Sequence, residues 1–234
     1  EQERSLGETE FVREQAAMSD GGQYGRTRAC QALFGNVDLT LGADVSVLLE
    51  KHIDTSGGRF RGVRYSTGWD RDGRIHNVVA NPNMLVDASV ITAAQALVEK
   101  NLSLDSWLYH PQLKEVAQLA DALPDLRIIL NHAGSPILGG PNRGKLDEVF
   151  VDWRERIQMV AKRQNVFVKL GALPIRMPGF DGDRNLPPGS EEVAVAWKPW
   201  MRACIEAFGP SRSMFESNFP VQKRWCSYQV CWNA

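Results

Sequence analysis

The run RIILNHAGSPI, residues 127–137, is apolar through Ile128, Ile129 and Leu130 and then turns to Asn131, His132, Gly134 and Pro136. A histidine so placed has two readings. It can donate to a backbone carbonyl as the chain leaves its core, or it can stand at a strand end as a ligand or acid–base group. Other strand-length runs end on polar residues too. RFRGVRYS (59–66) closes on Arg64-Tyr65-Ser66, and NLSLDSWL (101–108) ends at Trp107-Leu108 ahead of Tyr109-His110. NVFVKL (165–170) carries Lys169, and SMFESN (213–218) closes on Glu216-Ser217-Asn218. Arg64 offers a planar fork suited to a carboxylate, whereas Arg61 falls on the opposite strand face by period-two geometry. His110 directly precedes Pro111 and can equally serve only to end its strand. Polar groups gathered at one rim cost stability unless each is satisfied, which favours a shared pocket. His52, in a helical stripe, and His76, in a polar loop, read as structural or solvent-facing.

These residues need strands to carry them. With ALFGNVDL (32–39) the chain shows six strand-length apolar runs, separated by stretches of helical period. Val45, Leu48, Leu49 and Ile53 form one stripe; Val90, Ala94, Leu97 and Val98 form another. Pro111 suits a first helical position ahead of Leu113, Val116, Ala117 and Ala120. Leu146, Val149, Phe150, Trp153 and Ile157 make the strongest stripe. A last helix follows Ser190, with Glu191 and Glu192 at its positive end; Pro199 is expected to break or kink it and Gly209-Pro210 to stop it. The opening segment ETEFVREQAAM reads as a helix. Strand alternating with helix implies parallel pairing through crossover helices, hence an α/β fold. The first expectation is a (β/α)8 TIM-barrel-like domain over residues 1–234; an open sheet is second. A complete barrel takes about 250 residues, so six units imply a barrel incomplete at its ends.

Composition narrows the functions. Lys plus Arg number 27 against 28 Asp plus Glu, a formal charge of −1, which supplies no basic field for nucleic acid. No apolar run is long enough for a bilayer and no charged-then-apolar leader opens the chain, so a cytoplasmic protein without a membrane partner is expected. Cys30, Cys204, Cys226 and Cys231 are too few for a disulfide framework and lack a second pair for a zinc cage; they read as buried or incidental thiols. GPNRGKL has phosphate-loop spacing from Gly139 to Lys145, but Leu146 stands where a hydroxyl must hold magnesium, so it reads as a flexible loop.

LSLDSWLYHPQL, RIILNHAGSPI, NVFVKLGAL and AFGPSRSMFESNFPVQK together resemble the amidohydrolase-related, metal-dependent hydrolases of TIM-barrel fold. The nearest branch holds sugar-lactone and dicarboxylate-lactone hydrolases. The resemblance implies a first strand ending in His-x-His, a later histidine matching His132, and a terminal aspartate that activates water. It further implies that Arg64, Trp107, His110 and Lys169 hold the substrate. Two departures stand out. No His-x-His occurs in this sequence, and Asn218 occupies the aspartate's position. An amide cannot take a proton from water at neutral pH, which leaves that role unfilled or moved. Glu216, where the family usually has glycine, is a substitute expected to lie too deep in the barrel.

The expected function is hydrolysis of a small carboxylated or sugar-derived lactone or a related ester-like bond. His132 would polarise the carbonyl or ligate a divalent metal ion (zinc or manganese), Arg64 would anchor the anionic end, and Asn218 would orient water. One histidine holds zinc poorly, since catalytic sites use three protein ligands, so tight metal binding by these residues is not expected. The alternative is an inactive, truncated barrel that binds a small molecule or assembles with other chains, a homo-oligomer among them.

Overall fold

A computed structural model describes residues 2–173 and 187–234. Its six strands are β1 (Leu33–Asn36), β2 (Phe60–Ser66), β3 (Ser103–Trp107), β4 (Arg127–Leu130), β5 (Val166–Leu170) and β6 (Ser213–Phe215). All pair in parallel, in the order β1-β2-β3-β4-β5-β6. Strand order that follows the sequence, without a reversal, is the barrel pattern; a doubly wound sheet would switch direction part-way. The helices are α1 (Leu6–Asp20), α2 (Val45–Thr55), α3 (Ala88–Glu99), α4 (Leu113–Ala122), α5 (Leu146–Ala161), α6 (Ser190–Phe208) and α7 (Tyr228–Asn233). Each predicted strand and helical stripe falls on one of these elements.

The sheet also curls. Lys169 of β5 places Nζ 5.5 Å from the ring centre of Phe34 on β1. In a flat sheet strands four places apart would be roughly 19 Å apart, beyond the reach of these side chains. The architecture is therefore a partial barrel, with β1 and β6 as its edges among the described residues.

The two sheet faces differ in chemistry. Toward the helices point Val63, Leu104, Ile128, Leu130, Val166 and Val168, all fully buried. They pack on Val90, Leu97, Val116, Leu119, Trp153 and Ile157 in one continuous core. The concave face, set by strand register, carries Phe34, Arg64, Asp105, Ile129, Phe167, Lys169 and Met214. Apart from the fully buried Asp105, these residues are half-buried. Stability thus rests mainly on the helix-facing layer.

Two expectations about the helices need comment. Gly209, with φ of 75°, ends α6 as predicted. The helix nevertheless runs unbroken across Pro199. The carbonyl that loses its donor belongs to Val195, which is 75% exposed, so water can satisfy it. Meanwhile Trp197 and Trp200 are anchored in the core, and Trp200 packs 4.6 Å from Trp153 and 4.9 Å from Phe150 between ring centres. All four cysteines are free thiols, with Cys204, Cys226 and Cys231 buried. No helix among the described residues is long and apolar enough to cross a membrane.

Trp153 links the core to the rim. It is fully buried, and its indole Nε1 donates to the Ala133 carbonyl at 2.7 Å. Trp153→Ala is expected to lower stability by about 3–5 kcal/mol in urea unfolding, and Trp153→Phe by about 1–2 kcal/mol for the lost hydrogen bond alone. A loss below about 1 kcal/mol for the alanine variant would show that this anchor is unimportant.

Candidate active site at the strand ends

The C-terminal strand ends surround a cleft of about 380 Å³. Arg64 and Ser66 reach it from β2, Trp107 and Tyr109 from β3, His132, Ser135 and Pro136 from beyond β4, Ala172 from beyond β5, and Asn218 and Val221 from beyond β6. Arg64, Trp107, His132 and Asn218, each singled out in the sequence, therefore share one hollow.

Beneath it lies a charge cluster. Asp105 is fully buried, and its Oδ2 accepts from Arg64 Nε (3.0 Å), Arg64 Nη2 (2.7 Å) and Lys169 Nζ (2.8 Å). Two cations on one carboxylate leave one net positive charge below the cleft. Lys169 thus belongs to the site through Asp105, although it does not line the hollow itself. Asp105 Oδ1 and Asn131 Nδ2 are buried without a partner among the described residues. Asn131 Oδ1 stands 3.5 Å from Arg64 Nη2.

His132 sits on strained backbone. Its φ is 55°, and Ala133 (49°) and Ser135 (43°) also take left-handed values that L-residues avoid. Such strain survives only where the surroundings over-determine it. Here they do. The Glu216 carboxylate accepts the His132 backbone N–H at 2.9 Å and contacts ring Nδ1 at 2.6 Å. Trp153 holds the Ala133 carbonyl, and the His110 backbone N–H donates to the Ser135 carbonyl at 3.2 Å. Ala172 and Asn218, with φ of 53° and 52°, repeat the left-handed turn beyond β5 and β6. Three neighbouring strands thus deliver their following residues to the cleft through the same unusual conformation.

Two further residues stand outside the cleft. Glu216 was expected to lie deeper than Asn218; it follows the last residue of β6, does not line the hollow and stands against His132. Gly171 allows this close approach, because a Cβ there would collide with the Glu216 carbonyl oxygen and sit 2.7 Å from its Cγ. His110 was expected to hold substrate, but its ring is buried away from the cleft. Its Nδ1 accepts the Ile137 N–H at 3.1 Å and its Nε2 lies 3.5 Å from Asp152 Oδ2. Burial holds this imidazole down to about 4, against a weaker upward pull from Asp152. His110 therefore ties the loop beyond β4 to α5. His52 is likewise internal, bound to Thr9 Oγ1 at 2.8 Å and stacked on Phe60, with its pKa lowered by burial.

Asp105 was missed. The one local signal was an acidic residue inside an apolar strand run; its pairing with Arg64 is set by the β2–β3 register.

A family model described as amidohydrolase matches residues 25–234. The chain belongs to the amidohydrolase family. It is 34% identical over 191 residues to an uncharacterised Sinorhizobium fredii protein, y4mH, covering 82% of this chain and 57% of that one. It is 25% identical over 181 residues to an L-fucono-1,5-lactonase of Burkholderia multivorans, covering 77% and 56% respectively. The chain thus spans little more than half the length of these relatives. An amidohydrolase of Burkholderia multivorans solved with bound zinc superposes with a TM-score of 0.66 at 23% identity, over 94% of this chain and 69% of that one. That likeness bears on the fold and agrees with a partial TIM barrel. As for metal, the described residues bring together no group of three His, Cys, Asp or Glu side chains. His132 alone, with Nδ1 taken by Glu216, does not fit a catalytic zinc site, which takes three protein ligands.

Two measurements check this electrostatic layout in the amidohydrolase. Asp105→Asn leaves Lys169 and Arg64 confronting each other and is expected to cost roughly 3 kcal/mol in urea unfolding. The figure sits at the low end for a broken buried pair because the Arg64 side chain is 42% exposed. A neutral outcome would mean that solvent already screens the cluster. For His110, the folded-state pKa of about 4 lies below the ordinary 6.5. The fold favours the neutral ring, so its contribution is complete above about pH 6.5 and is lost as pH falls toward 4. The loss is on the order of 3 kcal/mol. His110→Gln, which can still accept the Ile137 N–H, should flatten the urea midpoint across that window; identical profiles would contradict the assignment.

Proposed function

We propose that the protein containing this chain hydrolyses the ester bond of a small lactone that is carboxylated or derived from a sugar acid. One observation carries the reading: His132, Arg64, Trp107 and Asn218 converge on a single cleft of about 380 Å³. That volume suits a small ligand. The excess cation of the Arg64–Asp105–Lys169 cluster favours a substrate with an anionic end, and Arg64 is the member that reaches the cleft. Trp107 and Tyr109, edge to face at 5.2 Å, provide an apolar wall for a sugar-like ring. His132 acts at the reacting centre, and the Asn218 amide orients the attacking water. The lactonase among the relatives supports the ester-like class.

Zinc or manganese enters the expectation through the family, and a zinc-bound neighbour agrees with it, but these residues do not supply the ligand set. The test is turnover of aldonolactones and carboxylated lactones by the full-length protein, with and without chelator. His132→Ala should lower kcat/KM by about 10²–10⁴ at unchanged folding. Arg64→Ala should raise KM most for the carboxylated substrates. Unaltered turnover in His132→Ala would end the reading and favour the inactive barrel that only binds or assembles.

A further inference from the structure

Within that hydrolytic reading, on which this inference rests, we propose that Glu216 is a positioning residue that makes His132 the general base. It fixes His132 with its proton on Nδ1, so that Nε2 presents a lone pair to the cleft and serves as the base. The geometry separates this from the other role open to His132. A neutral imidazole whose Nδ1–H is held by a carboxylate has no proton on Nε2, and so cannot polarise a carbonyl by donating to it.

Three observations support the pairing. The Nδ1 to Oε1 distance is 2.6 Å, and both side chains are only 11% exposed. The same oxygen takes the His132 backbone N–H, so ring and main chain are fixed from one point. Gly171 lets the chain at Glu216 approach β5 closely enough for the pairing, because a Cβ there would collide with the Glu216 carbonyl oxygen and crowd its Cγ at 2.7 Å. An acidic side chain held that tightly against an imidazole orients it and stabilises the imidazolium formed in the reaction.

The step balances with water and the lactone alone. Nε2 takes a proton from water while the water oxygen bonds to the carbonyl carbon and the carbonyl π pair moves onto its oxygen. As the tetrahedral species collapses, the ring C–O bond breaks. The Nε2 proton passes to the departing alkoxide, and the products are the open hydroxy acid and the restored imidazole. Nothing is oxidised or reduced.

The experiment is ¹⁵N-histidine NMR on the full-length protein at neutral pH, with His132 assigned by its loss in His132→Asn, alongside steady-state kinetics. The wild type should show protonated Nδ1 and unprotonated Nε2. Glu216→Ala should shift His132 toward the Nε2–H tautomer that unpaired imidazole prefers, and lower kcat at least tenfold with KM little changed. Glu216→Gln retains an acceptor for the backbone N–H and guards against a folding artefact; it should also lower kcat without unfolding. A wild-type ring protonated on Nε2, or a spectrum unchanged in Glu216→Ala, overturns the proposal. If the spectra are as expected but no lactone is turned over, the substrate reading fails while the placement of Nε2 stands.

Discussion

The buried Asp105 carboxylate is the constraint from which the rim is organised. A fully buried charge is expensive, and here it is offset by two cations, one from the adjacent strand and one from two strands away on the other side. Arg64 comes from β2 and Lys169 from β5, with Asp105 between them on β3. Lys169 also reaches Phe34 on β1, four strands away, so the lysine of the ion cluster is the one that spans the curled sheet. Sheet curvature and site chemistry meet at one residue. The helix-facing layer, apolar and fully buried, supplies the stability that lets the concave layer carry charge.

A second constraint acts just above the first. Residues 132, 133 and 135 hold left-handed backbone at a cost on the order of 1 kcal/mol each. Glu216, Trp153 and His110 grip that segment from β6, α5 and the turn beyond β3. None of these three lines the cleft, yet together they decide where the His132 imidazole points. His110 belongs with this support, and its depressed basicity reflects a ring kept neutral in order to accept a backbone N–H.

Much of the fold was legible in the sequence, for a physical reason. Strands buried under helices read as short apolar runs, so Ile128-Ile129-Leu130 and Val166-Phe167-Val168 announced themselves. Parallel pairing followed from the alternation of elements, and the strand order then separated a barrel from an open sheet. A break at Pro199 did not occur, because local helix propensity said nothing of Trp197 and Trp200, whose burial accompanies an α6 continuous across it. In the site, periodicity placed Arg64 and the turn chemistry placed His132, since both signals are local. Asp105 escaped because its role exists only through partners 41 and 64 residues distant. His110 misled because a strand-end position looks the same in sequence whether the ring faces the hollow or the helix layer.

Within the proposed mechanism, Asn218, standing where the family resemblance implies an aspartate, goes with a different way of taking the proton. A carboxylate at 218 would stand at the cleft wall, where it could meet water directly. A carboxylate at 216 stands behind the imidazole and reaches only its Nδ1 and the backbone beside it. In the proposed mechanism Glu216 is the partner of a histidine, and the amide at 218 can orient water without competing for its proton. Glycine at 171 serves the same arrangement through the backbone, since a Cβ there would collide with the Glu216 carbonyl oxygen.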